Sequence, residues 1–143
     1  MASQEIMTKK EIHNFGIEVV FNQLQKEGHQ IKSVNDKIGI NPQIIANING
    51  NLSFIAVRTD CYPNKGNLEK KEHFQMIEHS KKHNAVPYFA SVGISNVAGI
   101  TDIERSIPKK GAGFHIAYEG LLIISESDKV KILDIKRTAQ FNE

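Results

Sequence analysis

The sequence is poor in the features that staple a chain or carry it through a membrane. Of its 143 residues one is cysteine, Cys61, and none is tryptophan. A single thiol excludes an intramolecular disulfide and a multi-cysteine zinc knuckle, and it fits a reducing, cytoplasmic setting. No apolar run exceeds the four residues of Leu121 to Ile124, far short of the ~20 that a transmembrane helix needs. Met1 to Met7 carry neither a basic head nor an apolar stretch, so neither a signal peptide nor a membrane partner is expected. Charge of one sign is scarce as well. Eighteen Lys and Arg against 16 Asp and Glu leave a net +2, which neither demands nor forbids a polyanionic partner. Internal repeats, low-complexity tracts and long Pro/Gly/Ser linkers are all missing, which predicts one domain over residues 1–143.

What is present is a sequence of well-punctuated elements. Thr8 with Glu11 three residues later is a capping box, predicting a helix from Lys9 to Glu27 that Gly28 stops. Gln30 to Val34 alternates as a half-buried edge strand does. Ile44 to Ile48 and Leu52 to Arg58 flank Asn49-Gly50, the dipeptide that tolerates positive φ at both central positions of a type I′ turn. Two antiparallel strands follow, and counting outward from that turn places Gln43 opposite Ala56. Leu68 to His83 reads as a surface helix with Phe74 and Ile77 on its apolar side and Asn84 as its stop. Val86 to Val92 reads as a buried strand opened by a proline. A short helix within Ser95 to Ser106 and strands at Phe114–Tyr118, Leu121–Ser125 and Val130–Leu133 complete the chain. The order α-β-β-β-α-β with a β-rich tail predicts the α/β (α+β) class, a mixed central sheet flanked by helices.

Pro42-Gln43, then Phe54-Ile55-Ala56-Val57-Arg58 across a hairpin, after a helix containing Gly16-Ile17-Glu18, together resemble the PD-(D/E)xK nuclease superfamily. The resemblance runs from Glu11 to Gly93 and implies the restriction-endonuclease-like fold. It also implies metal-dependent cleavage of a nucleic-acid phosphodiester, in which carboxylates hold Mg²⁺ and a lysine steadies water and developing charge. Carried over position by position, the motif Asp falls on Gln43, the motif acid on Ala56, the motif lysine on Arg58 and the helix glutamate on Glu18. An amide and a methyl stand where two acids would share the metal, so the expected state is a degenerate site with no cofactor. Arg58 keeps the positive charge but is forked and permanently ionised, suited to gripping phosphate or pairing with Glu18.

Two functions follow from different classes. The leading expectation is a non-catalytic nuclease-like protein that binds nucleic acid, through Arg58, Lys65, Lys70 and Lys71, or associates with a protein partner or a second copy of itself. The alternative is a Mg²⁺-dependent endonuclease or exonuclease whose acids have moved, with Glu18 and Asp60, joined by Glu78 or Asp36, supplying the metal shell. Asp60, beside Cys61, Tyr62 and Pro63, reads as part of a loop. His73, His79 and His83 read as a solvated face. The last two have the i, i+4 spacing of a metal-binding pair, but Lys70, Lys71, Lys81 and Lys82 around them repel cations. Lys109 to Gly113 reads as a turn before a strand. His13, Asn14 and His115 fall in no pattern.

Overall fold

A computed structural model describes residues 5–125. Its elements are α1 (Lys9–Lys26), β1 (Gln30–Val34), β2 (Ile44–Ile48), β3 (Asn51–Cys61), α2 (Lys70–Lys82), β4 (Val86–Asn96), α3 (Asp102–Arg105), β5 (Phe114–Ala117) and β6 (Leu122–Ile123). The α-β-β-β-α-β order is the one expected. The strand foreseen at Val130–Leu133 lies outside the described residues.

Local chemistry sets the boundaries. Thr8 caps α1 reciprocally, its hydroxyl accepting from the Glu11 amide while the Glu11 carboxylate accepts from the Thr8 amide. Between β2 and β3, Asn49 and Gly50 have φ of 52° and 84°, which matches the right-handed strand twist that a two-residue hairpin needs. The pairing Ile44↔Ile55 through Ile48↔Asn51 is the register counted from that turn. Thr101 and Glu104 form a second capping box on α3. That short helix falls at the end of the span foreseen for it, because Ser95 and Asn96 are still paired in β4 with β5.

The six strands form one mixed sheet in the order β1-β2-β3-β4-β5, with β6 also on β4. Neighbours are antiparallel except β3 and β4, which run parallel from Ser53↔Val86 to Cys61↔Ile94. A parallel pair needs a crossover, and α2 supplies it. The two faces of the sheet are covered by different helices. Ile55 and Val57 of β3 pack with Ile17, Val20 and Leu24 of α1. Phe54 and Ala56 pack with Met76 and Ile77 of α2. Burial on both faces explains why residues 54–57 read as an unbroken apolar run rather than an alternation.

On α2 the buried stripe is His73, Met76, Ile77 and Ser80, which corrects the expected apolar side. Phe74 is 38% exposed, whereas His73 is 9% exposed and so belongs to the interior rather than to a solvated face. On the other side of the sheet, α1 lies so close to β3 that a Cβ on Gly16 would come 1.6 Å from Thr59 Oγ1. Only glycine fits at that crossing.

Candidate functional site

Gln43 enters the sheet one residue before β2 and is completely buried. Its backbone N–H donates to Ile55 O at 2.9 Å and its carbonyl accepts from the Asn35 amide at 2.7 Å. The side chain completes the accounting. Oε1 accepts from Val57 N at 2.7 Å and from Arg58 Nη1 at 3.2 Å, while Nε2 donates to Ile40 O at 2.9 Å and Asn41 Oδ1 at 3.2 Å. A primary amide offers two donors and a two-lone-pair acceptor, so none of its capacity is left.

Arg58 is equally committed. Nη1 also donates to Val57 O at 2.9 Å, and Nη2 donates to Asn41 Oδ1 at 2.8 Å and to Glu72 Oε2. Four N–H donors on the two Nη atoms thus meet four acceptors. The side chains of Arg58 and Glu72 are 16% and 20% exposed, and Asn41 Nδ2 donates to the same Glu72 oxygen at 3.3 Å. Burial pushes the Glu72 carboxyl up, but hydrogen bonding and charge from Arg58, with help from Asn41 and the Glu69 backbone, hold it below the ordinary glutamate range. His13 on α1 is held below the usual imidazole value by its own burial first and by the charge of Arg58 second.

The partner of Arg58 is therefore Glu72, not Glu18. Period two on a strand puts Arg58 on the face of Phe54 and Ala56, and α2 covers that face. Glu18 sits on α1, which packs against the opposite face, and it is exposed to solvent. Ala56 is a core methyl beside Phe54, Met76 and Ile77. These residues do not fit Mg²⁺. An amide with no free lone pair, a buried methyl and a carboxylate on the far face supply none of the clustered oxygens a hard cation requires.

The other acids are dispersed. Asp36 pairs with Lys10 at 3.6 Å. Glu78 is exposed on α2. Asp60 is not in a loop, because pairing with Gly93 carries β3 on to Cys61; its carboxylate accepts from the Cys61 amide at 2.7 Å. Among the described residues no three His, Cys, Asp or Glu side chains are grouped to hold a metal ion.

A second region opens where β3 and β4 end. A groove of about 510 Å³ is lined by Tyr62, Lys65, Ser95, Asn96, Arg105 and His115 among others, with Ile94, Val97 and Ile116 as apolar wall. The carboxyl ends of parallel strands are where open sheets usually bind ligands. Two cations, Lys65 and Arg105, and the imidazole of His115 come together here from the loop after β3, from α3 and from β5. Arg105 is partly balanced by Asp102 at 3.6 Å, which also accepts from the Tyr62 hydroxyl at 3.1 Å. Of the lysines singled out in the sequence, Lys65 lines this groove, while Lys70 and Lys71 are exposed on the first turn of α2. Arg105 and His115 carry no sequence signal, because only the antiparallel addition of β5 to β4 brings His115 opposite Ser95.

A family model described as a domain of unknown function, DUF8840, matches residues 10–124. The chain belongs to the DUF8840 family. The match takes in α1 from its second residue and every later element to β6, so the Arg58 cluster and the groove both fall inside the DUF8840 domain. A search of curated proteins found no match. No helix among the described residues is long and apolar enough to cross a membrane.

Proposed function

We propose that this DUF8840 domain is a non-catalytic relative of the PD-(D/E)xK nucleases, kept as a scaffold that binds nucleic acid. One observation carries the reading. Where the motif chemistry needs clustered carboxylates, Gln43, Arg58 and Glu72 form a polar cluster that satisfies itself. A permanent cation, covalently part of the chain, takes the place of an exchangeable one. It has no Nη donor left for a phosphate, so recognition passes to the groove of Lys65, Arg105 and His115. Cations along an open channel with a stackable ring such as Tyr62 suit a single-stranded backbone.

A second reading is a protein-interaction scaffold. The observation that favours it is the exposure of Ile100 and Ile103, 83% and 73%, on the segment that also carries Arg105. Exposed aliphatic side chains beside a groove mark association surfaces.

One assay separates the readings: supercoiled plasmid and a single-stranded oligonucleotide, each with protein and Mg²⁺ or Mn²⁺, scored for mobility shift and nicking. The proposal expects a salt-sensitive shift without nicking, with non-specific dissociation constants of ~10⁻⁴ to 10⁻⁶ M. Metal-dependent nicking that Glu18→Ala abolishes would overturn it in favour of an active enzyme. The absence of both shift and nicking would transfer support to the protein-interaction reading.

A further inference from the structure

The last turn of α2 and the residue that caps it carry two histidines, His79 and His83. Spacing of four places side chains one above the other on a helix, and the two ring centres lie 4.8 Å apart at an interplanar angle of 62°. Both rings rest on Phe54, at 5.0 and 5.5 Å, which is itself only 3% exposed. This apolar floor fixes the backs of two side chains whose residues are otherwise open to solvent. His83 Nδ1 lies 3.0 Å from the His79 carbonyl oxygen. Nδ1–H donates to that oxygen, so the lone pair stands on Nε2, the arrangement that orients a ligating imidazole.

We propose that His79 and His83 form a two-imidazole site for a divalent transition ion, Cu²⁺, Ni²⁺ or Zn²⁺. Two imidazoles each ~2.0–2.1 Å from one ion through a ring nitrogen have centres roughly 5 Å apart, close to the separation present before any ion arrives. Nitrogen donors select these ions over Mg²⁺, which takes oxygen, so the site is independent of the chemistry expected at Gln43 and Ala56. Water supplies the remaining coordination positions. His79 also lines a groove of about 480 Å³ together with Asn41, Met76 and Glu78, so an added donor can reach the ion from that hollow. Lys82 lines the same groove, and its charge keeps the affinity below that of a dedicated site with three protein ligands.

The test is calorimetric titration of CuCl₂, NiCl₂, ZnCl₂ and MgCl₂ into the full-length chain without a histidine tag, followed by His79→Ala, His83→Ala and the double variant. His79→Gln, which retains bulk against Phe54, serves as the control for folding, and circular dichroism checks each protein. One saturable equivalent is expected, tightest for Cu²⁺ and undetectable for Mg²⁺, and each single substitution, His79→Gln included, weakens it at least tenfold. The proposal is overturned if none of the three transition ions binds saturably. It is equally overturned if the double variant binds as the parent does, since the ligands would then lie among His13, His29, His73 and His115.

Discussion

Arg58 and Lys65 lie seven residues apart in the chain and both carry positive charge, yet they stand in opposite situations. Arg58 has every Nη–H donor committed to Gln43, Val57, Asn41 and Glu72. Lys65 stands with Arg105 and His115 around an open groove of about 510 Å³. The first cation holds the fold together and the second is available to a partner. A position inside a motif therefore says less about function than whether its hydrogen-bonding capacity is still free.

The largest effect comes from breaking the saturated cluster. Glu72→Ala leaves the guanidinium mostly buried and unpaired, which costs about 3 kcal/mol and is read as a lowered urea midpoint. Arg58→Ala costs a similar amount by stripping donors from Gln43, Asn41 and Glu72. The double variant Arg58→Ala with Glu72→Ala costs clearly less than the sum of the two single variants, because neither charge is then left without the other. Strict additivity would show that the cluster is not a unit, and the contrast with the groove would lose its basis.

The groove should answer in the other direction. Lys65→Glu and Arg105→Glu each weaken oligonucleotide binding about tenfold, equivalent to about 1.4 kcal/mol, while stability stays within about 0.5 kcal/mol of the parent. Each lost phosphate contact also lowers the slope of log affinity against log salt by about one. Fluorescence anisotropy with a labelled single strand across a salt series reads both quantities. Lys70→Glu and Lys71→Glu, outside the groove, should change affinity less. A reversed ranking would move the interface onto α2.

Much of this architecture is legible in the sequence because it is specified locally. Thr8 and Glu11 define the start of α1, and Asn49-Gly50 defines a hairpin register correct to the residue. Contacts made across the sheet are harder to read. Glu18 is the acid the motif suggests as partner for Arg58, but helix assignment to faces decides the matter, and α2 covers the even-numbered face of β3. The strand period places Arg58 with Phe54 and Ala56. The sequence pattern does not show that the following helix returns over that face, and it is this return that brings Glu72 to Arg58. Phe74 misleads for a related reason: the buried stripe of α2 runs through the polar His73 and Ser80, so hydrophobicity alone points to the wrong side. Arg105 and His115 converge on Lys65 only through tertiary structure.

Acid perturbs the saturated cluster more gently than substitution does, and in two separable steps. Glu72 titrates below the ordinary glutamate value in the folded chain, whereas in the unfolded chain it titrates near ~4.3. The unfolded state therefore takes up the proton first. The stabilisation from Glu72 is present above the unfolded value and is lost as pH falls through the folded one. His13 and His79 are also held below their usual value in the folded chain, each by its burial first, so they erode stability at higher pH, from ~6.5 downward. Urea midpoints measured from pH 7 to pH 3 should fall in two legs. His13→Leu makes the upper leg shallower, leaving the part that His79 contributes, while Glu72→Gln shrinks the lower leg to the part that the capping carboxylates Glu11 and Glu104 contribute and leaves the upper. The Glu72 share of the lower leg is smaller than the loss in Glu72→Ala, because a protonated carboxyl still offers Arg58 and Asn41 an acceptor oxygen whereas a methyl offers none. If Glu72→Gln retains the full lower leg, the acid-sensitive group lies elsewhere and the cluster around Arg58 is not what low pH undoes.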